Sequence, residues 1–169
     1  MKVQIKPALE REKQHFEAML PEYLRELGVD GDYPYLPLYW QEPGRFAYLL
    51  LVEDEIAGFA LVRQQSERAV YELAEFYVVS AYRLAGVGHA AAQALFDLHR
   101  GLWQLSVLAD NFAGLRFWPR VLPAGHMPKP LRRPKGCNTP SSSLSVFSRP
   151  TGPATRRSPP WPPAHPART

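Results

Sequence analysis

With 169 residues, 46% hydrophobic and 21% charged, the chain has room for one domain with a real core, and this balance excludes a wholly disordered polypeptide. The formal net charge of +4 hides a split, because residues 1–118 carry 11 Lys+Arg against 16 Asp+Glu while residues 119–169 carry 9 against none. The single cysteine, Cys137, excludes an intrachain disulfide; the longest apolar stretch, Phe46 to Val52, is far short of a membrane span, and no secretion signal is read, so a cytoplasmic protein is expected.

Val3 to Ala8 is the first predicted strand. Phe16, Met19, Leu20, Tyr23, Leu24 and Leu27 then recur at spacings of three and four, which predicts an amphipathic helix, kinked or divided at Pro21 and stopped at Gly28. Asp30 to Gly44, with three prolines among Tyr33, Tyr35, Tyr39 and Trp40, is too proline-rich for a regular element and predicts an ordered aromatic loop. Phe46–Val52, Ile56–Arg63 and Val70–Val79 predict an antiparallel meander, with a turn at Glu53-Asp54-Glu55. Val87 to Leu98 reads as a helix, Leu102 to Leu108 as a fifth strand, and Asn111 to Trp118 as a short helix.

After Trp118 the pattern stops, since 13 of the 18 prolines lie between Pro119 and Pro166. Two regions follow: a domain over 1–122 and a Pro-, Arg- and Ser-rich basic tail over 123–169, expected to be disordered, only loosely attached, or the out-of-frame translation of a GC-rich gene. The nine cations of residues 119–169 could neutralise phosphates, but nucleic acid is not the expected partner.

The informative segment runs from Phe76 to His89, where an apolar strand passes through a short loop into a helix carrying Arg83-x-x-Gly86-x-Gly88. Glycines admit a ligand close to the backbone, and free amides at a helix N-terminus converge on an anion, so a diphosphate suits the site; the plain alternative is a tight turn.

This segment resembles the acetyl-CoA signature of the GNAT N-acetyltransferases, and the element order over about residues 3–122 resembles their fold, an α/β protein with a mixed (α+β) sheet. The family continues into two further strands, which the sequence does not supply: they are expected to be missing or replaced by the tail. The resemblance implies that acetyl-CoA is the acetyl donor and that no metal is needed. It further implies that Phe76, Tyr77 and Val78 contact pantetheine and thioester through their backbone, and that the amides of Arg83, Leu84, Ala85, Gly86, Val87, Gly88 and His89 hold the diphosphate. Asn111, with Gly114, Phe117 and Trp118, matches a second family pattern and is assigned to the cofactor site. Trp118 stands where many members use a tyrosine as general acid, and an indole N–H is not a useful acid.

A general base is needed because a protonated amine has no lone pair with which to attack a thioester. Glu75, whose apolar neighbours Ala74 and Phe76 are expected to raise its pKa, is the candidate, against the plain alternative of a solvated edge charge; Glu72 ranks below it because strict period-two geometry puts it on the opposite face. Tyr35, Tyr39, Trp40 and Glu42 lie where the family builds its acceptor pocket and suit a cationic amine, though the same aromatics could simply cap the core. His15 and His99 are expected on helix surfaces. The expected activity is acetyl transfer from acetyl-CoA to a primary amine, on a small molecule or a peptide, by direct attack in a ternary complex. A catalytically inactive CoA- or partner-binding domain is the alternative, and a homodimer is allowed.

Overall fold

The computed structural model describes residues 1–65, 69–131 and 146–148. Its centre is a mixed sheet in the order β1-β2-β3-β4-β5-β6, in which β1 (Val3–Pro7), β2 (Arg45–Val52), β3 (Glu55–Gln64) and β4 (Val70–Val78) form the antiparallel meander. The β2–β3 turn is made by Glu53 and Asp54, both at positive φ, which suits the twist of a two-residue hairpin. β5 (Leu102–Leu108) joins β4 in parallel, after the crossover helix α3 (Val87–Leu98) that a parallel pair requires.

Each face of the sheet has its own core. On one face lies α1 (Lys13–Leu27), with Phe16, Leu20, Tyr23 and Leu24 packed on Leu49, Phe59, Leu61 and Tyr77. On the other lie α3 and α4 (Phe112–Val121), with Ala91, Leu95, Phe96, Trp118 and Val121 against Leu50, Val62, Trp103 and Leu105. Alternation along β2 and β3 feeds both cores, so these two strands read as continuous apolar runs. Full burial of one such large side chain stabilises by about 1.5–3 kcal/mol.

The mixed sheet and the boundaries of β1 to β5 follow the sequence expectation closely. Four local features differ from it. α1 runs unbroken through Pro21, which sits on its solvent side, where water can meet the Glu17 carbonyl that loses its donor; Gly28, left-handed at φ 64, ends the helix as expected. One helical turn, α2 (Leu38–Gln41), interrupts the aromatic loop after Pro37. α4 continues past Trp118 through Pro119 to Val121. Two three-residue strands, β6 (Lys129–Leu131) and β7 (Val146–Ser148), pair with β5, parallel at Ser106–Leu108 and antiparallel at Leu102–Gln104. Three residues are too few to display a period-two pattern, which is why sequence reading places no strand there. Of the expected tail, residues 132–145 and 149–169 lie outside the described residues.

His99, expected on a helix surface, is buried: α3 ends at Leu98 and the chain turns the imidazole inward among Phe46, Tyr71 and Trp103. There its Nε2 meets the Tyr48 hydroxyl at 2.6 Å, and burial pulls its pKa down to about 4.

Candidate active site

β4 and β5 start together and end apart. They pair only from Val70 opposite Leu102 to Leu73 opposite Leu105, whereas β4 stays paired with β3 as far as Val78. The closed end is tight, since the Leu102 N–H donates to the Ala69 carbonyl at 2.9 Å, and a Cβ added at Gly101 would stand 2.0 Å from that oxygen. Beyond Leu73, the edge of β4 over Ala74–Val78 has no described partner in β5. This stretch contains Phe76, Tyr77 and Val78, the residues whose backbone the family resemblance leads us to expect at pantetheine. An open strand edge is a ready template for an extended, amide-bearing ligand. The Val78 carbonyl is already engaged, accepting from Arg83 Nε at 2.7 Å.

A bulge decides where the carboxylates point. Leu61 lies opposite Glu75 and Val62 opposite Leu73, so Ala74 is an extra residue in β4. Strict alternation would place Glu72 and Glu75 on opposite faces; the bulge corrects this expectation by resetting the period. Leu73, Phe76 and Val78 face α3 and α4, whereas Glu75 and Tyr77 turn toward α1. Glu72 is on the α1 side as well, where Arg63 Nε at 2.9 Å and Gln65 Nε2 at 2.7 Å donate to its Oε2.

Glu75 sits half-buried at the centre of this polar group, and Tyr23 of α1 donates its hydroxyl to Oε2 at 2.5 Å. Burial pushes the carboxyl up to about 7; hydrogen bonds from Tyr23 and Tyr33 oppose the rise, Glu72 adds to it and Arg63 opposes it. Burial beside this carboxylate also raises the Tyr23 and Tyr33 phenols well above their ordinary range and Tyr39 to about 12, so all three remain protonated near neutrality.

The loop after β4 builds the second part of the site. Ser80–Tyr82 forms a 3-10 turn, Leu84 stands fully exposed at φ 64, and Gly86 at φ 80 begins α3. The first described intrahelical bond runs from the Ala90 N–H to the Gly86 carbonyl at 3.0 Å, so the amides of Val87, Gly88 and His89 precede the helix ladder. A Cβ at Gly86 would meet nothing within 4 Å, so the bend itself is open, whereas one at Gly88 would stand 3.1 Å from the Phe117 ring. The residues present therefore fit a diphosphate, with the helix dipole adding to the pull on an anion. The Arg83 guanidinium is held off to one side: Nη2 reaches Glu26 of α1 at 2.7 Å, and the group lies 5.4 Å from the Tyr77 ring centroid.

The remaining sequence-predicted residues scatter. Asn111 caps α4, its Oδ1 accepting from the Gly114 N–H at 3.0 Å. Trp118 is buried against Phe76 and Phe117, a core role that agrees with its unsuitability as an acid. Tyr35 is partly exposed and packs edge-on to Tyr33, whereas Tyr39 is buried, and Trp40 donates its indole N–H to the Ala8 carbonyl at 2.9 Å. Glu42 pairs with Arg45 at 2.6 Å on the rim of a cavity of about 180 Å³ that also includes Gly44, Arg63 and Gln65. Sequence reading missed Tyr23, Tyr33 and Arg63. Tyr23 carries only the signal of a core position at helical spacing, and its hydroxyl function follows from the facing strand.

Among the described residues no helix is long and apolar enough to cross a membrane, and no group of three His, Cys, Asp or Glu side chains is placed to hold a metal ion. None of the curated proteins matches the chain. Solved structures share its fold. A ribosomal-protein-alanine N-acetyltransferase from Brucella melitensis biovar Abortus is 18% identical, with a TM-score of 0.62 over 79% of this chain and 99% of that one. An acetyltransferase from Thermus thermophilus is 14% identical, with a TM-score of 0.61 over 71% of this chain and 85% of that one. A Bacillus subtilis acetyltransferase in complex with CoA is 14% identical, with a TM-score of 0.54 over 71% of this chain and 75% of that one. The family model described as "Acetyltransferase (GNAT) family" matches residues 13–122, and with the splayed strands and the glycine loop already in place, the chain belongs to that family.

Proposed function

We propose that the protein is an acetyl-CoA-dependent N-acetyltransferase that acts on a primary amine by direct attack, with Glu75 as general base. The observation that carries this reading is the position of Glu75, half-buried on the α1 face of β4 in the stretch that β5 leaves open, with burial pushing its carboxyl up to about 7. A base tuned near neutrality is ionised often enough to accept a proton and basic enough to draw one from an ammonium.

The chain's own groups divide the work. The amides of Val87, Gly88 and His89, with the loop from Arg83 to Gly86, hold the donor's diphosphate, and the open edge from Phe76 to Val78 aligns its pantetheine arm. The bound donor supplies the activated acetyl group. Glu75 takes the proton from the incoming ammonium, leaving the neutral amine with its lone pair free to attack. Low-lying Tyr33 and Tyr39 and the Glu42–Arg45 rim border the acceptor's approach. The acceptor is an amine of a small molecule or a peptide; three of the solved structures that share this fold are described as ribosomal-protein acetyltransferases, which favours a peptide amine among the first to test.

The test follows free thiol released from acetyl-CoA with a panel of amines and peptide N-termini. Release above the hydrolysis background that falls by roughly 10²–10⁴-fold in Glu75→Gln supports the assignment. CoA binding with no turnover on any amine would instead favour an inactive CoA-binding domain, the reading suggested by Trp118, which puts a buried indole where many relatives have an acid.

A further inference from the structure

We propose that Tyr23 is the positioning residue of the catalytic base: its hydroxyl fixes Glu75 Oε2 so that the acceptor's proton is taken at Oε1, and it keeps the carboxyl in its ionised form. This rests on the reading of Glu75 as base.

The geometry is specific. Tyr23 projects from the third turn of α1, its ring fixed edge-on to Phe59 and tilted on Tyr77, both buried beneath it. With the ring immobilised, the phenol has one direction in which to donate, and Glu75 Oε2 lies there at 2.5 Å. The carboxylate sits on a bulged strand whose local backbone departs from regular alternation, so the partner on α1 is what fixes its orientation. The groups facing Glu75 are Tyr23 from α1, Tyr33 and Tyr39 from the aromatic loop and α2, Arg63 from β3 and Glu72 from β4. Arg63 is the cation of this set, and it is paired with Glu72. Tyr23 is therefore the donor that directly offsets burial of the charge on Glu75, with Tyr33 acting in the same direction.

The proton balance is simple. An N–H bond of the ammonium breaks, an O–H bond forms at Glu75 Oε1, the electron pair stays on nitrogen, and the carboxylic acid later returns its proton to solvent. Tyr23 keeps its own proton throughout, its phenol being raised well above neutrality by burial and by the adjacent carboxylate.

A donor to the ionised form lowers the pKa of a carboxyl, so its removal raises that pKa and moves the acid limb of the rate profile to higher pH. In Tyr23→Phe, which removes one oxygen and keeps the ring, the acid limb of kcat/KM should move up by about one pH unit, a tenfold loss on that limb, while the rate on the alkaline plateau falls far less than in Glu75→Gln. Tyr33→Phe, in the surface loop, should move the limb the same way by less, and it serves where Tyr23→Phe folds poorly. An unmoved limb in a folded Tyr23→Phe enzyme, alongside an inactive Glu75→Gln enzyme, overturns the positioning role and leaves the base intact. A Glu75→Gln enzyme that keeps its rate removes the base and, with it, the proposal.

Discussion

Single side chains here carry opposite pH dependences. The folded-state pKa of His99 is pulled down to about 4 from 6.5, so between those values the unfolded chain binds more protons and stability falls as pH drops. Over that window the loss is on the order of 3 kcal/mol. Glu75 works the other way, since its carboxyl is raised to about 7 and stability falls as pH rises from the ordinary carboxylate range through that value. His99→Gln should therefore show a smaller drop in Tm between pH 6.5 and 4 than the parent protein, as read by calorimetry; an equal drop would place the acid sensitivity elsewhere. The shift of His99 was not legible in the sequence. His99 follows a run at helical spacing and looks like its continuation, and only the end of α3 at Leu98 turns it inward. Glu75 was legible as a residue because it precedes Phe76 at the strand's end. The upward direction of its shift was legible too, from apolar Ala74 and Phe76 on either side; its hydrogen-bond partner was not, because Tyr23 is 52 residues away along the chain.

At the level of elements, the loop that starts α3 was the most readable part, for glycine at a required positive φ leaves a mark in the sequence. Gly86 sits at φ 80 with open space around it, so Gly86→Ala is strained by its backbone and not by a clash, at about 1–2 kcal/mol. If the loop holds a diphosphate as proposed, Gly86→Ala should weaken acetyl-CoA binding by roughly tenfold in titration calorimetry while the Tm of the ligand-free protein falls only modestly. Unchanged affinity would remove the loop from the donor site. The bulge at Ala74 was not readable, because nothing in Leu73-Ala74-Glu75 marks an extra residue, and strict alternation gave Glu72 the wrong face. Regular strands follow from apolar period, whereas a bulge follows from how two particular strands settle against each other.

Across the whole molecule, the mixed sheet was legible because β2, β3 and β5 are short apolar runs bounded by polar turns. β6 and β7 were not, being three residues each. The fold places Glu75 on β4 and the Arg83–Gly86 loop just after it, and ties both to α1, through Tyr23 to Glu75 and through Glu26 to Arg83. Acetyl-CoA at a hundred times its Kd should stabilise the native protein by about 2.7 kcal/mol, and a thermal melt with and without the ligand reads this directly. No shift at millimolar acetyl-CoA would sink the donor site. Arg83→Ala, which frees the end of α1, should lower the Tm only slightly, since its pair with Glu26 is largely solvent-exposed.

The tight start of the β4–β5 pair has a mechanical meaning. With Gly101 pressed against the Ala69 carbonyl, the two strands are like tongs riveted at one end, and their jaws open from there. A methyl group at position 101 would force the rivet itself, and the jaws would change their gape some five residues away from the altered atom.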